Sequence, residues 1–333
     1  MSDTLFPPRH IFYPSKTQEN TMIFLHERGI GMTGEDIASC FNSANLGGKA
    51  IFDHFPATRW VFPCAKERKF FISKTQGNIR SSRKASIFEW FEVASFEDVR
   101  QGSNKQLTDL RDSATYIMGL IEDELKHVNN DPRRIFLGGI GQGMALGLVV
   151  LLCTPYRLGG FAGINGWMPF ADTLKASIEQ GDIDGAYQFF KSHCIVPIRP
   201  PNMPRQDATK AIQMPSFIKP ISSQRDYSQP AGSSTAPEPS IVEDIKRTPI
   251  LVTHASGDKF YVKTQYSCTA YSLMESMGFY NLTWKQFTYG RVEGQMSESD
   301  ASNFLYSLMF PEQLLYLVGF LESFGMKLES YTN

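Results

Sequence analysis

The stretch that decides the fold is Arg134-Ile135-Phe136-Leu137-Gly138-Gly139-Ile140-Gly141-Gln142-Gly143. Its apolar first half predicts a buried strand, and the apolar run that follows at 144–152 predicts a helix buried against the same sheet. Alternate glycines between the two permit a sharp turn. The stretch therefore predicts strand, turn and helix, with Gly141 at the turn.

Strand and helix patterns alternate along the rest of the chain. Apolar runs predict strands at 21–26, 60–63, 159–164, 249–254 and 281–288, and helical spacing predicts helices at 35–41, 104–128 and 311–324. Strands separated by helices favour a mostly parallel central sheet flanked by helices. Ligands of such sheets bind beyond the carboxyl ends of the strands, so we expect a site there.

The segment at 197–239 departs from this alternation, since it is rich in proline and serine and has no clear period. We predict a single α/β domain over 1–333 that contains this segment as an insertion. Two interpretations of the insertion stay open. Its composition favours a disordered surface segment, whereas long insertions in compact domains are often active-site lids.

Composition argues against several classes of protein. The 33 basic and 34 acidic residues give a net charge of -1, without the concentrated positive charge that nucleic-acid binding needs. No apolar stretch approaches the roughly 20 residues of a membrane-spanning helix, and the N-terminus has no signal-peptide pattern. The five cysteines form no C-x-x-C pair, so neither a disulfide framework nor a zinc site is indicated. We expect a cytoplasmic protein without metal or cofactor.

Seven short motifs follow one another in a characteristic order. They are 25–29, 59–65, 89–92, the helix around Ser113 and Tyr116, the turn at Gly141, 163–169 and 248–254. In this order they resemble the acyl-protein thioesterases, carboxylesterases and lysophospholipases of the α/β-hydrolase superfamily, in particular the longer fungal-type members. The resemblance covers nearly the whole chain and implies an α/β-hydrolase fold.

The resemblance also implies a catalytic Ser, Asp and His in that order, and two of the three are missing. The serine position falls on Gly141, and the histidine position on Val292 or Glu293, since no histidine follows His254. Asp258 has the family's spacing from His254 and carries over as the acid. A nucleophile replaced to trap a substrate would explain the glycine but not the missing histidine. We interpret both as natural losses that make acyl-enzyme hydrolysis unavailable.

Glu27 is a third departure, because the family has glycine at this position. By the same correspondence the backbone amides of Arg28 and Gln142 would form the oxyanion hole, and neither amide depends on a lost side chain. Two interpretations of Glu27 stay open. It is a carboxylate that takes part in the chemistry, or a charged loop residue that turns to solvent or pairs with Arg28, as such residues usually do.

Other candidates have both a structural and a functional interpretation. The resemblance implies that four residues either line an apolar cleft or belong to the core; they are Trp90, Trp167, Met168 and Tyr289. His26 and His254 are expected to be hydrogen-bonded structural histidines. The basic residues of 66–84 predict a loop that is either solvated or recognises an anionic substrate.

Two functions follow, with a third alternative. The first is a non-hydrolytic cyclase, isomerase or lyase of secondary metabolism, acting on a small apolar carbonyl compound with Asp258, Glu27 and Glu293 as candidate catalytic groups. The second is a pseudoenzyme that binds a lipid, an acyl group or a protein partner. The third is a carboxylesterase or thioesterase whose nucleophile has been replaced. The oligomeric state stays open, with a homodimer as one alternative.

Overall fold

The computed structural model describes residues 5–44, 46–76, 79–95, 98–195, 241–256, 262–288 and 311–327. Its strands are β1 His10–Phe12, β2 Asn20–Leu25, β3 Gly29–Ile30, β4 Thr58–Phe62, β5 Lys66–Gln76, β6 Ile79–Glu89, β7 Ile135–Ile140, β8 Gly160–Ile164, β9 Ile250–Ser256 and β10 Leu282–Thr288. Its helices are α1 Gly34–Ser43, α2 Ile51–His54, α3 Gln106–Leu125, α4 Gln142–Cys153, α5 Ala171–Glu179, α6 Ile183–Cys194, α7 Ile241–Ile245, α8 Thr264–Ser276 and α9 Pro311–Ser323. The insertion at 197–239 lies outside the described residues.

Seven strands form the central sheet in the order β1-β4-β2-β7-β8-β9-β10. All neighbours are parallel except β1, which runs antiparallel to β4. The strands β2, β4, β7 and β8 are buried along their whole length, as expected for parallel strands covered on both faces. The predicted α/β-hydrolase fold, with a mostly parallel sheet flanked by helices, is confirmed.

Each face of the sheet has its own hydrophobic core, and β2 contributes to both. Ile23 and Leu25 pack with the residues of α3, α4, α6 and α8, whereas Met22 and Phe24 pack with those of α1, α2 and α9. This division follows from the alternation of side chains along a strand. The carboxyl ends of β2 and β7 therefore lie side by side between two packed layers.

The segment at 66–84 is not the loop that its charge predicts. Strands β5 and β6 pair antiparallel from Lys66 opposite Glu89 to Gln76 opposite Ile79, and β6 also pairs with β3 in a second, three-stranded sheet. The loop prediction is wrong because strand periodicity is detected from apolar residues on one face, and this segment begins Lys-Glu-Arg-Lys.

Candidate functional site

The turn between β7 and α4 is formed by Gly141, with φ 54° and ψ -114°. Residues that carry a side chain rarely adopt such a conformation. The Gly141 N–H donates to the carbonyl oxygen of Ile164 at 2.8 Å. The glycines on either side permit a tight approach, since a Cβ on Gly139 would lie 2.5 Å from the carbonyl carbon of Gly143. The predicted sharp strand-to-helix turn is present.

The carboxylate of Glu27 fills the space beside Gly141. A Cβ built on Gly141 would lie 1.0 Å from Glu27 Oε2 and 2.1 Å from its Cδ. Any side chain at position 141 therefore excludes the observed conformation of Glu27. Because Glu27 is only 8% exposed, its interpretation as a solvated loop residue is wrong. The space left by the glycine gives the carboxylate a place inside the protein.

Two backbone amides hold this carboxylate. The Arg28 N–H donates to Oε1 at 2.7 Å, and the Gln142 N–H lies 3.1 Å from Oε1 and 3.2 Å from Oε2. Gln142 is the first residue of α4, and a helix N-terminus favours negative charge. The structure thus brings together the two amides assigned to the oxyanion hole from the sequence. A carboxylate of the chain itself occupies them.

The surroundings of Glu27 change its acidity. Burial raises the pKa of Glu27 from 4.5 to about 7, while the N–H groups of Gln142 and Arg28 and the charge of Arg28 oppose the rise. Both protonation states are therefore populated near neutral pH. This is the range in which a carboxyl group serves as a general acid or base.

The guanidinium group of Arg28 is engaged by a second buried carboxylate. Its Nε lies 2.5 Å from Glu89 Oε2, and Arg68 Nε lies 3.0 Å from Glu89 Oε1. Arg68 also pairs with Asp109 of α3. This network fixes the base of the β5–β6 hairpin next to the turn that carries Glu27. Sequence reasoning missed Glu89, although its position in the motif at 89–92 was a usable signal.

The side chain of Gln142 connects the turn at Gly141 to the segment that contains Trp90 and Phe91. Its Oε1 accepts from the Trp90 N–H at 2.8 Å and its Nε2 donates to the Phe91 carbonyl at 2.6 Å. The indole N–H of Trp90 donates to the His26 carbonyl at 2.9 Å. The segments that carry Glu27, Trp90 and Gln142 are therefore joined to one another by hydrogen bonds.

Of the apolar candidates, three lie in the described part of the chain and all three are core residues. Trp90 and Trp167 are 1% exposed and Met168 is 2% exposed, and Trp167 packs edge-on against Phe91. The four remaining site candidates lie outside the described residues; they are Asp258, Tyr289, Val292 and Glu293.

Both histidines near the site are structural, as the sequence predicted. Nε2 of His26 accepts from the Ala65 N–H, so the ring proton is on Nδ1 of His26. This Nδ1–H donates to the Glu27 carbonyl. His254 Nδ1 likewise donates to Ser267, whose hydroxyl proton goes to the Gly166 carbonyl. Burial lowers the pKa of each histidine to about 4, so both are neutral at pH 7.

A polar cluster that the sequence did not reveal joins β8, β9 and α9. Asn165 Oδ1 accepts from the Ala255 N–H at 2.8 Å and from Gln313 Nε2 at 3.3 Å, and Gln313 Nε2 lies 3.2 Å from Thr253 Oγ1. Asn165 has a φ of 52°, and the Asn-Gly pair that it begins was the available signal. The cluster joins the carboxyl ends of β8 and β9, on the same side of the sheet as Glu27, which follows the carboxyl end of β2.

The described part of the chain contains neither a cluster of metal-ligating side chains nor a membrane-spanning helix. There, no three or more histidines, cysteines, aspartates or glutamates are grouped so that they could hold a metal ion. Within the same ranges, none of the helices combines the length and the apolar character that crossing a membrane requires.

Comparison with known proteins points to one family. The sequence profile of the phospholipase/carboxylesterase family matches residues 8–198. The chain is 28% identical over 170 residues to acyl-protein thioesterase 1 of Schizosaccharomyces pombe, which is 51% of this chain and 66% of that protein. It is 26% identical over 154 residues to the carboxylesterase SOBER1 of Arabidopsis thaliana, which is 46% of this chain and 59% of that protein. The matched stretch thus spans about two thirds or less of either relative.

A solved structure resembles the whole fold. The crystal structure of acyl-protein thioesterase 2 from Zea mays superposes with a TM-score of 0.52 over 95% of this chain and 98% of the other, at 15% identity. At this identity the likeness concerns the fold alone.

Proposed function

Because the chain belongs to the phospholipase/carboxylesterase family of α/β-hydrolase proteins, we propose that it keeps the family's fold but has replaced ester hydrolysis by proton transfer. The proposed activity is that of a cyclase, isomerase or lyase on a small carbonyl-containing compound of the natural-product type. One observation carries the proposal: the Glu27 carboxylate occupies the space of a side chain at position 141.

Hydrolysis through an acyl-enzyme needs a nucleophile and free oxyanion donors. Gly141 has no side chain that could act as a nucleophile. The N–H groups of Arg28 and Gln142 already bind Glu27's own oxygens, so they are not free for the oxyanion of an attacked carbonyl. The loss of one such donor alone costs about 100- to 1000-fold in rate.

Proton transfer suits the same geometry. A group with a pKa near the working pH is the most effective acid or base, and the pKa of Glu27 is about 7. The hydrogen bonds around Glu27 orient its carboxylate at the carboxyl ends of the strands, where ligands of α/β folds bind. Asp258 and Glu293 stay further candidates from the family resemblance, and the cytoplasm stays the proposed location.

The second candidate is a binding protein without turnover. It is favoured by the occupied amides and by the burial of Trp90, Trp167 and Met168 in the core, which leaves these three side chains no free surface for a substrate. The third candidate, an esterase with a replaced nucleophile, is disfavoured. A Cβ at position 141 would lie 1.0 Å from Glu27 Oε2. The observed conformation of Glu27 therefore requires glycine at position 141.

Two assays separate these candidates. With p-nitrophenyl butyrate we expect no hydrolysis above the rate in buffer; a rate typical of serine esterases, lost on Asp258→Asn, would overturn the proposal. In small-molecule extracts followed by mass spectrometry, we expect the protein to form a product of unchanged mass or one lighter by a small eliminated molecule. Glu27→Gln should abolish this product, while Glu92→Gln, at an exposed position, should leave it unchanged. Retention of a compound without conversion would favour the binding protein.

A further inference from the structure

We propose that Glu27 is a displaceable internal ligand, and that the amide pair of Arg28 and Gln142 binds the carboxylate of an acidic small molecule in its place. The inference rests on the proposed function in taking the turn at Gly141 as the ligand site. It adds the chemical class of the ligand and the way in which the ligand gains entry.

The geometry at the turn fits a carboxylate on both of its oxygens. Oε1 accepts from the N–H groups of Arg28 and Gln142, and Oε2 shares the Gln142 N–H, so two separate segments of the chain hold the group. The space for the group exists because residue 141 has no side chain. A carboxylate of a ligand can make the same three contacts once Glu27 has turned aside.

Burial of Glu27 at the turn costs free energy, and this cost is relieved when its side chain turns out to solvent. Burial disfavours its ionised form, whereas the same side chain in solvent ionises freely. When Glu27 turns out to solvent near neutral pH, a proton is released. Proton release on opening means that rising pH favours the open state, up to the buried pKa of about 7.

The neighbouring charged groups do not produce this dependence. His26, adjacent in sequence, has its pKa lowered to about 4 by burial, and Asp36 of α1 accepts from the backbone and hydroxyl of Thr33. The guanidinium of Arg28 is paired with Glu89. The pKa of Glu27 itself is about 7, so Glu27 titrates within the range in which we expect opening to depend on pH.

The pH dependence of opening has a measurable size. For a Glu27 pKa that moves from 4.5 to about 7, opening becomes about 20-fold easier from about pH 5.5 to about pH 7.5 and then levels off. A ligand carboxylate buried in the same space has its own pKa raised, so it takes up a proton on binding and offsets this dependence in the unchanged protein.

The test is an NMR titration of the full chain with butyrate, and with neutral butyramide as the matched probe. For the unchanged protein we expect the butyrate affinity to change little over this pH range, because the bound butyrate takes up the proton that Glu27 releases. Glu27→Ala removes the internal ligand and should bind butyrate more tightly than the unchanged protein. Its affinity should fall about 20-fold from about pH 5.5 to about pH 7.5, because burial of butyrate in this space is no longer offset by release of Glu27. Glu27→Gln cannot ionise and should bind weakly at every pH. Glu92→Gln should behave as the unchanged protein, and butyramide should bind more weakly throughout.

The inference is overturned if Glu27→Ala binds butyrate no more tightly than Glu92→Gln, if the butyrate affinity of Glu27→Ala does not fall with rising pH, or if butyramide equals butyrate. If Glu27→Ala fails to fold, Glu27→Gln decides the question, because its weak butyrate binding should fall further with rising pH while that of Glu92→Gln stays nearly constant. Failure here with a Glu27-dependent product still formed leaves the proposed function standing. Butyrate binding without any product removes the proposed function and keeps the inference.

Discussion

Two buried glutamates in this protein are held in opposite ways. Glu124 of α3 is fully buried and forms an ion pair with Arg59 of β4, with 2.9 Å between Nε and Oε2. Glu27 is nearly as buried, but backbone N–H groups at the turn hold its carboxylate. The first carboxylate neutralises a buried cation and joins a helix to the sheet. The second sits between two protonation states, which a purely structural role does not require.

The largest expected effect is on the structural glutamate. Glu124→Gln leaves the Arg59 charge buried without its partner, and we expect a loss of about 3–5 kcal/mol in the free energy of unfolding. Urea denaturation at pH 7 measures it. The double variant Arg59→Met with Glu124→Leu should recover most of the loss, because a packed apolar pair replaces a buried ion pair at little cost. Equal stability of the single and double variants would contradict this account.

The second prediction concerns the pH dependence of stability. Because the folded pKa of Glu27 is raised, its contribution to stability is fully present below about pH 4.5 and is lost as the pH rises through about 7. Glu27→Gln cannot ionise and keeps that contribution. Relative to the unchanged protein, it should therefore gain up to about 3 kcal/mol from about pH 4.5 to pH 8.

The readout is the difference in unfolding free energy between the two proteins at each pH. The pKa values of His26 and His254 are lowered to about 4, which makes both proteins less stable as the pH falls below about 6.5. Because this effect is the same in both proteins, it cancels in the difference. Glu92→Gln serves as the control and should show no such difference. A constant offset for Glu27→Gln would mean that Glu27 does not titrate in this range.

The same contrast explains what could be predicted from the sequence. The apolar runs of β2, β7 and β9 and the amphipathic pattern of α3 carry their own signal, so the fold was predicted with most of its strands. The position of Glu27 has no local signal. It depends on a space left at Gly141 and on the Gln142 amide, which is 115 residues away in sequence. The β5–β6 hairpin was missed for a related reason, since charged strands lack the apolar alternation that identifies a strand.

The third prediction tests the exclusion between positions 27 and 141. Gly141→Ala places a Cβ where Glu27 Oε2 lies, and we expect it to cost about 2 kcal/mol, through displacement of Glu27 and through strain at φ 54°. In a Glu27→Ala background only the strain remains. A double-mutant cycle should therefore give a coupling energy of about 1 kcal/mol. Additive effects would mean that the two positions do not compete for the same space.

The smallest expected effect is on the pKa of Glu27, and it separates the influence of the Arg28 charge from that of the two backbone N–H groups. The charge of Arg28 is the smallest of the three factors that lower the pKa of Glu27, after the N–H groups of Gln142 and Arg28. Arg28→Met keeps the backbone N–H and removes the guanidinium with its contact to Glu89, which Arg68 still contacts. The pKa of Glu27, followed by carbon NMR of its carboxyl group, should therefore rise by less than about one unit.

Arg68→Met is the matched control, because Arg68 contacts the same Glu89 carboxylate without being among the causes of the Glu27 shift. It should leave the pKa of Glu27 unchanged. A rise of several units in Arg28→Met would mean that the guanidinium, and not the amide pair, keeps the buried carboxylate ionisable. Glu27 would then resemble Glu124 as a carboxylate that depends on a cation, and the contrast between the two would be one of distance only.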